Sequence, residues 1–132
     1  MRYLLDTNIV IFVLKDPGKE LALRLAGVPA EDVGLSSIVE SELYHGAEKY
    51  ASPERHRETL DGFLKPYVRV AYDSLCVPHY AGIRHCLERR GEMIGGNDLQ
   101  IAATALAHNL TVVTHNSREF ARVPNLKLED WF

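Results

Sequence analysis

Tyr3-Leu4-Leu5-Asp6-Thr7-Asn8 decides the fold of this chain. An apolar run of strand type ends abruptly on a carboxylate, and a run of helical type follows from Ile9 to Leu14. A buried strand that delivers an acid at its C-terminal end is how open α/β sheets build sites. Asp also commonly caps the helix that follows a strand, so the stretch alone supports two roles. The site role gains weight from positions further along. Glu42, Asp98, and Asn116 with Glu119 also fall just after strand-like runs or at helix beginnings.

Outward from that stretch, residues 2–5 predict a short buried strand and Thr7 to Leu14 a helix. Asp16-Pro17-Gly18 predicts a break, with Asp16 as N-cap and Pro17 at the first position of a second helix carrying Leu21, Leu25 and Ala26 and closed by Gly27. Val33-Gly34-Leu35 predicts a second strand. Ser37-Ile38-Val39-Glu40 fits a capping box opening a helix that continues through Leu43, Ala47 and Tyr50. Ser52-Pro53 opens the next helix, faced by Leu60, Phe63 and Leu64 and ended by Pro66. Tyr67 to Ala71 alternates like a third strand.

Asp73 or Ser74 is expected to cap a long helix running to Arg90, with Gly91 after it and Tyr80, Ile83 and Leu87 as its stripe. Pro78 sits near its first turn or kinks it. Asn97 or Asp98 starts a helix with Leu99, Ala102, Ala103 and Leu106, stopped by a left-handed Asn109. Leu110 to Thr114 is the clearest strand. Asn116 is expected to cap another helix, and Leu126-Lys127-Leu128 forms a last short strand. Strands separated by helices imply parallel pairing through right-handed crossovers. The fold class is α/β: one α/β/α layered domain over residues 1–132, with a short central parallel sheet.

A chain of 132 residues suits one domain, and 46% apolar with 25% charged residues is an ordinary globular composition. No apolar run approaches the ~20 residues of a membrane helix, and no secretory signal opens the chain, so the expected location is the cytoplasm, away from membranes. Cys76 and Cys86 flank one expected helix and read as reduced buried thiols. The net charge of −3 excludes a protein that simply coats nucleic acid. Action on nucleic acid would require a local site where a bound cation offsets the acids.

Clustered carboxylates need that offset, since two charges ~4 Å apart repel by about 4 kcal/mol at an effective dielectric of ~20. All the candidate ligands are oxygens, which selects Mg²⁺ or Mn²⁺ over Zn²⁺. Mg²⁺ held by a few carboxylates suits phosphoryl chemistry. Each acid also has an ordinary role: Asp6 and Asn116 as helix caps, Glu42 as a solvated helix residue, Asp98 as an acid favoured by a helix dipole.

Four segments carry a resemblance: Tyr3 to Asn8; Ser36-Ser37 through Glu42-Leu43 to Gly46-Ala47-Glu48-Lys49; Gly95-Gly96-Asn97-Asp98-Leu99 with Ile101-Ala102-Ala103; and Val113 to Phe120. Leu128-Glu129-Asp130-Trp131 extends it. In this ordered set the chain resembles the PIN-domain ribonucleases and, within them, the VapC toxins of bacterial toxin–antitoxin pairs. The resemblance implies a PIN-like fold and a Mg²⁺-dependent endoribonuclease, with Mn²⁺ as a substitute. The family's acids map onto Asp6, Glu42 and Asp98, which would hold the metal. Many relatives carry a fourth acid where this chain has Asn116, and Glu119, one turn on, is the alternative source of that carboxylate.

The resemblance further implies a small VapB-like antitoxin that blocks the cleft, dimers or larger assemblies, DNA contact only through the antitoxin, and an RNA substrate for which tRNA leads. Thr7, Thr114 and Ser117 are expected to position water or phosphate, and Arg118 either contacts phosphate or is a solvated helix arginine. His115 lies beside the site. Arg84, Arg89 and Arg90 with Lys49 and Arg55 either line an RNA path or are solvated helix faces. Trp131 and Phe132 are expected to pack or to sit at a partner interface, not to stack on bases. Two other functions fit the same residues: a small-molecule phosphohydrolase, and a binding module that keeps the fold without catalysis.

Overall fold

The computed structural model describes residues 1–132. Its centre is β1 (Tyr3–Leu5), whose three residues are all buried. β1 pairs in parallel with β2 (Val33–Ser36) on one side and with β4 (Thr111–Val113) on the other. β3 (Val68–Val70) extends the sheet beyond β2, and β5 (Lys127–Glu129) extends it beyond β4. The order is β3-β2-β1-β4-β5, parallel throughout. Near-continuous apolar runs in β1, β2 and β4 follow from this, because a parallel sheet is covered on both faces.

The helices are α1 (Thr7–Lys15), α2 (Glu20–Ala26), α3 (Ser37–Ala47), α4 (Pro53–Leu64), α5 (Val77–Arg90), α6 (Gly96–His108) and α7 (Ser117–Phe120). α6 is buried on a broad face through Leu99, Ile101, Ala102, Ala103, Thr104 and Ala105, and α5 packs against it. One hydrophobic cluster of 32 buried residues draws on the sheet and on every helix from α1 to α7. Gly34, opposite Leu4 in the sheet, is required by close approach, since a Cβ there would lie 2.8 Å from Met1 Sδ and 3.1 Å from Val70 Cγ2. No helix is long and apolar enough to cross a membrane.

Several boundaries differ from the sequence expectation. Asp16 does not cap the second helix. Asp16-Pro17-Gly18-Lys19 closes as a β-turn, with the Lys19 N–H donating to Asp16 O at 3.1 Å, and α2 starts only at Glu20. Asp and Pro favour the first two turn positions as strongly as they favour a helix start. Ser36, not Ser37, caps α3: its Oγ accepts from the Val39 N–H at 3.1 Å, while Ser37 Oγ accepts from the Tyr72 N–H at 3.0 Å. α5 begins at Val77, because Asp73 uses its carboxylate on the Leu75 N–H in a local turn. Pro78 falls in the first helical turn, where its missing N–H costs nothing. Gly91 and Asn109 adopt the left-handed conformation at φ 65° and 54° and end α5 and α6. Cys76 and Cys86 are free thiols.

Candidate active site

In a parallel sheet every strand ends at the same edge. β1 ends on Leu5 and hands the chain to Asp6; β4 ends on Val113 and hands it to Thr114. The strand order turns back between β1 and β4, and that switch point is where open α/β sheets leave a crevice. Thr114 Oγ1 donates to Asp6 Oδ2 across it at 2.7 Å. Asp6 Oδ1 accepts the Thr7 N–H at 2.8 Å, so Asp6 caps α1 and holds its second oxygen at the sheet edge. The cap role is therefore met by Oδ1, while Oδ2 lies at the crevice against Thr114. Asp6 is only 5% exposed. Burial pushes its pKa up, against the pull of the Thr114 and Thr7 hydrogen bonds, and the Glu42 charge adds to the rise.

Glu42 is reached by the next residue along. Thr7 Oγ1 donates to Glu42 Oε1 at 2.7 Å, tying the second turn of α3 to the start of α1. Asp98 sits in the first turn of α6, behind a Gly95 N-cap that offers no side chain of its own. Its carboxyl is pushed up to about 7, first by burial, then by the charges of Asp6, Glu119 and Glu42, and by a hydrogen bond between its protonated form and Glu119. These causes place the four acids in one another's fields. Asp6, Glu42, Asp98 and Glu119 come from four separate parts of the chain and converge on one edge.

Asn116 occupies the N-cap position of α7, but its backbone (φ −90°, ψ 48°) is not the extended form that turns a side chain onto the helix end. Its Nδ2 instead donates to Glu119 Oε2 at 3.2 Å, and its N–H donates to Thr114 Oγ1 at 2.9 Å. One continuous network thus runs from Glu42 through Thr7, Asp6, Thr114 and Asn116 to Glu119. Thr7 and Thr114 commit their hydroxyl protons to carboxylates, so their observed role is to position acids. Sequence reasoning expected both to contact water or phosphate. The Thr-after-Asp and Thr-after-strand placements were the only signal, and they do not show what each hydroxyl faces.

The donor set fits a hard divalent cation. Every ion pair in the structure engages other acids, and no lysine or arginine pairs with Asp6, Glu42, Asp98 or Glu119. All four potential ligands are carboxylate oxygens, the type that suits Mg²⁺ and Mn²⁺. No three acidic, imidazole or thiol side chains close into a cage around one point. Mg²⁺ does not need one, because it binds through one or two carboxylates and keeps several waters.

The remaining residues divide. His115 pairs with Asp130 at 3.2 Å and leans on Phe132. Trp131 is buried edge-on to Tyr3 with Nε1 donating to Glu129, whereas Phe132 stays exposed against Phe12. Arg84 bonds the Tyr80 hydroxyl and pairs with Glu88, while Arg89 and Arg90 line a depression on α5 with His85. Lys49 and Arg55 belong to a different surface. They line a groove of about 630 Å³ between α1, α3 and α4 that opens onto Glu42. The basic residues that the sequence grouped into one path therefore occupy two places.

The chain matches the PIN domain family over residues 3–126. It is 40% identical over 131 residues to Ribonuclease VapC2 of Haemophilus influenzae, covering 99% of this chain and 98% of that protein. To the tRNA(fMet)-specific endonuclease VapC of Salmonella typhimurium it is 37% identical, with the same coverage. Among solved structures, VapBC2 from Rickettsia felis, bound to a DNA fragment from its promoter, superimposes with a TM-score of 0.93 at 37% identity over 100% of both chains. DNA-bound VapBC from Salmonella typhimurium gives 0.94 at 36% identity, over 100% of this chain and 99% of that one. Agreement at this identity over nearly the full length of both sequence and fold admits one assignment: the chain belongs to the PIN-domain family, among the VapC ribonucleases.

Proposed function

We propose that the chain is a Mg²⁺-dependent endoribonuclease toxin that hydrolyses phosphodiester bonds in tRNA and is inhibited by a small cognate antitoxin. One observation carries the metal dependence: burial first, and then the charges of three other acids, raise Asp98 to about 7, and no basic side chain pairs with any of them. Asp6 and Asp98 would hold Mg²⁺, or Mn²⁺ in its place, with Glu42 helping through one of the waters the ion keeps. The bound ion supplies charge compensation at the phosphate and acidifies water.

The chain's own residues do the rest. Thr114 and the Thr7 N–H hold the Asp6 carboxylate from both sides. Thr7 holds Glu42 through Oε1 alone, which leaves Oε2 to orient a water and take its proton. Asn116 donates to Glu119 and aims it, and Glu119 would reach the ion through a water.

The Salmonella relative's name supports tRNA as the substrate class, and the solved VapBC complexes support an antitoxin partner, a hetero-oligomer and DNA contact through that partner. A cytoplasmic location follows from a tRNA substrate. The test is direct. Purified chain should cut tRNA with Mg²⁺ or Mn²⁺ and stop in EDTA, and Asp6→Ala and Asp98→Asn should lose cutting while keeping the circular dichroism of the unaltered chain. Full activity in both variants would remove the site from this edge.

A further inference from the structure

The groove between α1, α3 and α4 is built for more than access to Glu42. Its floor is apolar, formed by Ile11, Leu14, Leu43 and Leu60. At its wall the rings of Tyr50 and His56 stack at 3.6 Å and 25°. Tyr50 is 52% exposed, with His56 against one face of its ring, and neither its hydroxyl nor the His56 ring makes a hydrogen bond.

Charge is arranged around that stack. Lys15, Lys49 and Arg55 line the groove, against Glu42 as its one acid. None of the three cations has a carboxylate within ion-pair distance. The reason lies one position away: Arg57 pairs with both Glu48 and Glu54, removing the two acids adjacent in sequence to Lys49 and Arg55. In a chain of net charge −3, this local excess of free cations beside an acid cluster is what a polyanion requires.

We infer that this groove is a nucleotide subsite for the single-stranded part of the RNA substrate: one unstacked base lies on the face of Tyr50 away from His56, and flanking phosphates meet Lys49, Arg55 and Lys15. A base stacks on an aromatic side chain irrespective of its identity, and cations tracking the backbone complete such sites. The inference rests on the ribonuclease reading for the placement of the scissile bond near Glu42, but not for binding. Gly46 marks the groove's capacity. A side chain there would meet nothing within 4 Å at its Cβ, and the residue is helical, so a larger residue would project into open space without backbone strain.

The experiment measures affinity, not cleavage. The 132-residue chain is titrated into a fluorescein-labelled single-stranded oligoribonucleotide in EDTA, by fluorescence anisotropy, over a series of salt concentrations. Tyr50→Ala is expected to weaken binding about fivefold or more, and Tyr50→Phe to restore it. Gly46→Leu should weaken binding comparably without lowering the melting temperature. The double variant Lys49→Ala with Arg55→Ala should flatten the slope of log K against log salt by about 1.4, from ~0.7 per phosphate contact on a single strand. Unchanged affinity in Tyr50→Ala and Gly46→Leu overturns the inference, as does an unaltered chain that binds no oligonucleotide, and the groove then serves a protein segment. Failure of the ribonuclease reading would show separately, as intact RNA in Mg²⁺ despite tight binding.

Discussion

Thr114 Oγ1 donates to Asp6 Oδ2 at 2.7 Å, joining residues 108 positions apart across the point where the strand order reverses. The contact fixes the most buried acid of the site. It also serves the backbone, because the same hydroxyl accepts the Asn116 N–H at 2.9 Å.

Thr114→Val keeps the shape of the side chain and removes the hydroxyl. Asp6 Oδ2 and the Asn116 N–H then lose their partners together. Leaving a buried polar group unsatisfied costs about 1–3 kcal/mol. A melting temperature lower by about 3 °C or more is expected, with a fall in tRNA cleavage. Thr114→Ser should recover most of both. Thermal melts and a cleavage assay on the three proteins check this.

Asp98 and Asp6 both carry raised pKa values, so the folded chain holds protons that the unfolded chain releases. The sign follows: between the ordinary carboxylate value near 3.8 and the Asp98 value of about 7, metal-free stability falls as pH rises. Asp98→Asn has no proton to lose there. Melts in EDTA should show the variant gaining on the unaltered chain from pH 5 to pH 7 and holding a constant difference above about pH 8. Mg²⁺ added above pH 7 should raise the melting temperature of the unaltered chain and leave Asp98→Asn nearly unmoved. A difference that is flat with pH would contradict the clustering of the acids.

Asn116→Ala removes the donor that aims Glu119. Groups that orient a ligand typically matter 10- to 100-fold in metal affinity or activity, and a loss of about that size is expected here. Raised Mg²⁺ demand in a cleavage titration, with an unchanged melt, is the outcome that separates aiming from folding.

Gly34→Val should destabilise the chain by about 1–3 kcal/mol, the usual range for overpacking. The added Cβ would lie 2.8 Å from Met1 Sδ, 3.1 Å from Val70 Cγ2 and 3.3 Å from Tyr3 O, between β1 and β3. Met1 can move aside; the Tyr3 carbonyl cannot. Urea unfolding followed by circular dichroism measures the effect.

The order of elements was legible because it rests on short-range signals: an apolar run closing on Asp6, a left-handed stop at Gly91 or Asn109, a proline opening α4 after Ser52. Ambiguity entered where one motif serves two structures. Asp16-Pro17-Gly18 suits both a β-turn and a helix start, and the adjacent Ser36 and Ser37 both suit a cap. Asp6, Asp98 and Glu119 stand at a strand end or in the first turn of a helix and Glu42 about one turn further in, so the candidate acids could be named, since a parallel sheet sends its strand ends to one edge. Their supports could not. That Thr7 faces Glu42, Thr114 faces Asp6 and Asn116 faces Glu119 depends on distances across the fold. For the same reason Lys49 and Arg55 could not be separated from Arg89 and Arg90 before the helices were in place.

The central claim is that Asp6 and Asp98 share one divalent ion at the switch point. Anomalous diffraction from a crystal soaked in Mn²⁺ tests it most directly. The account predicts a single strong peak within coordination distance of both carboxylates, lost in Asp98→Asn crystals. A peak elsewhere on the molecule, or none at this edge with both side chains ordered, would contradict it.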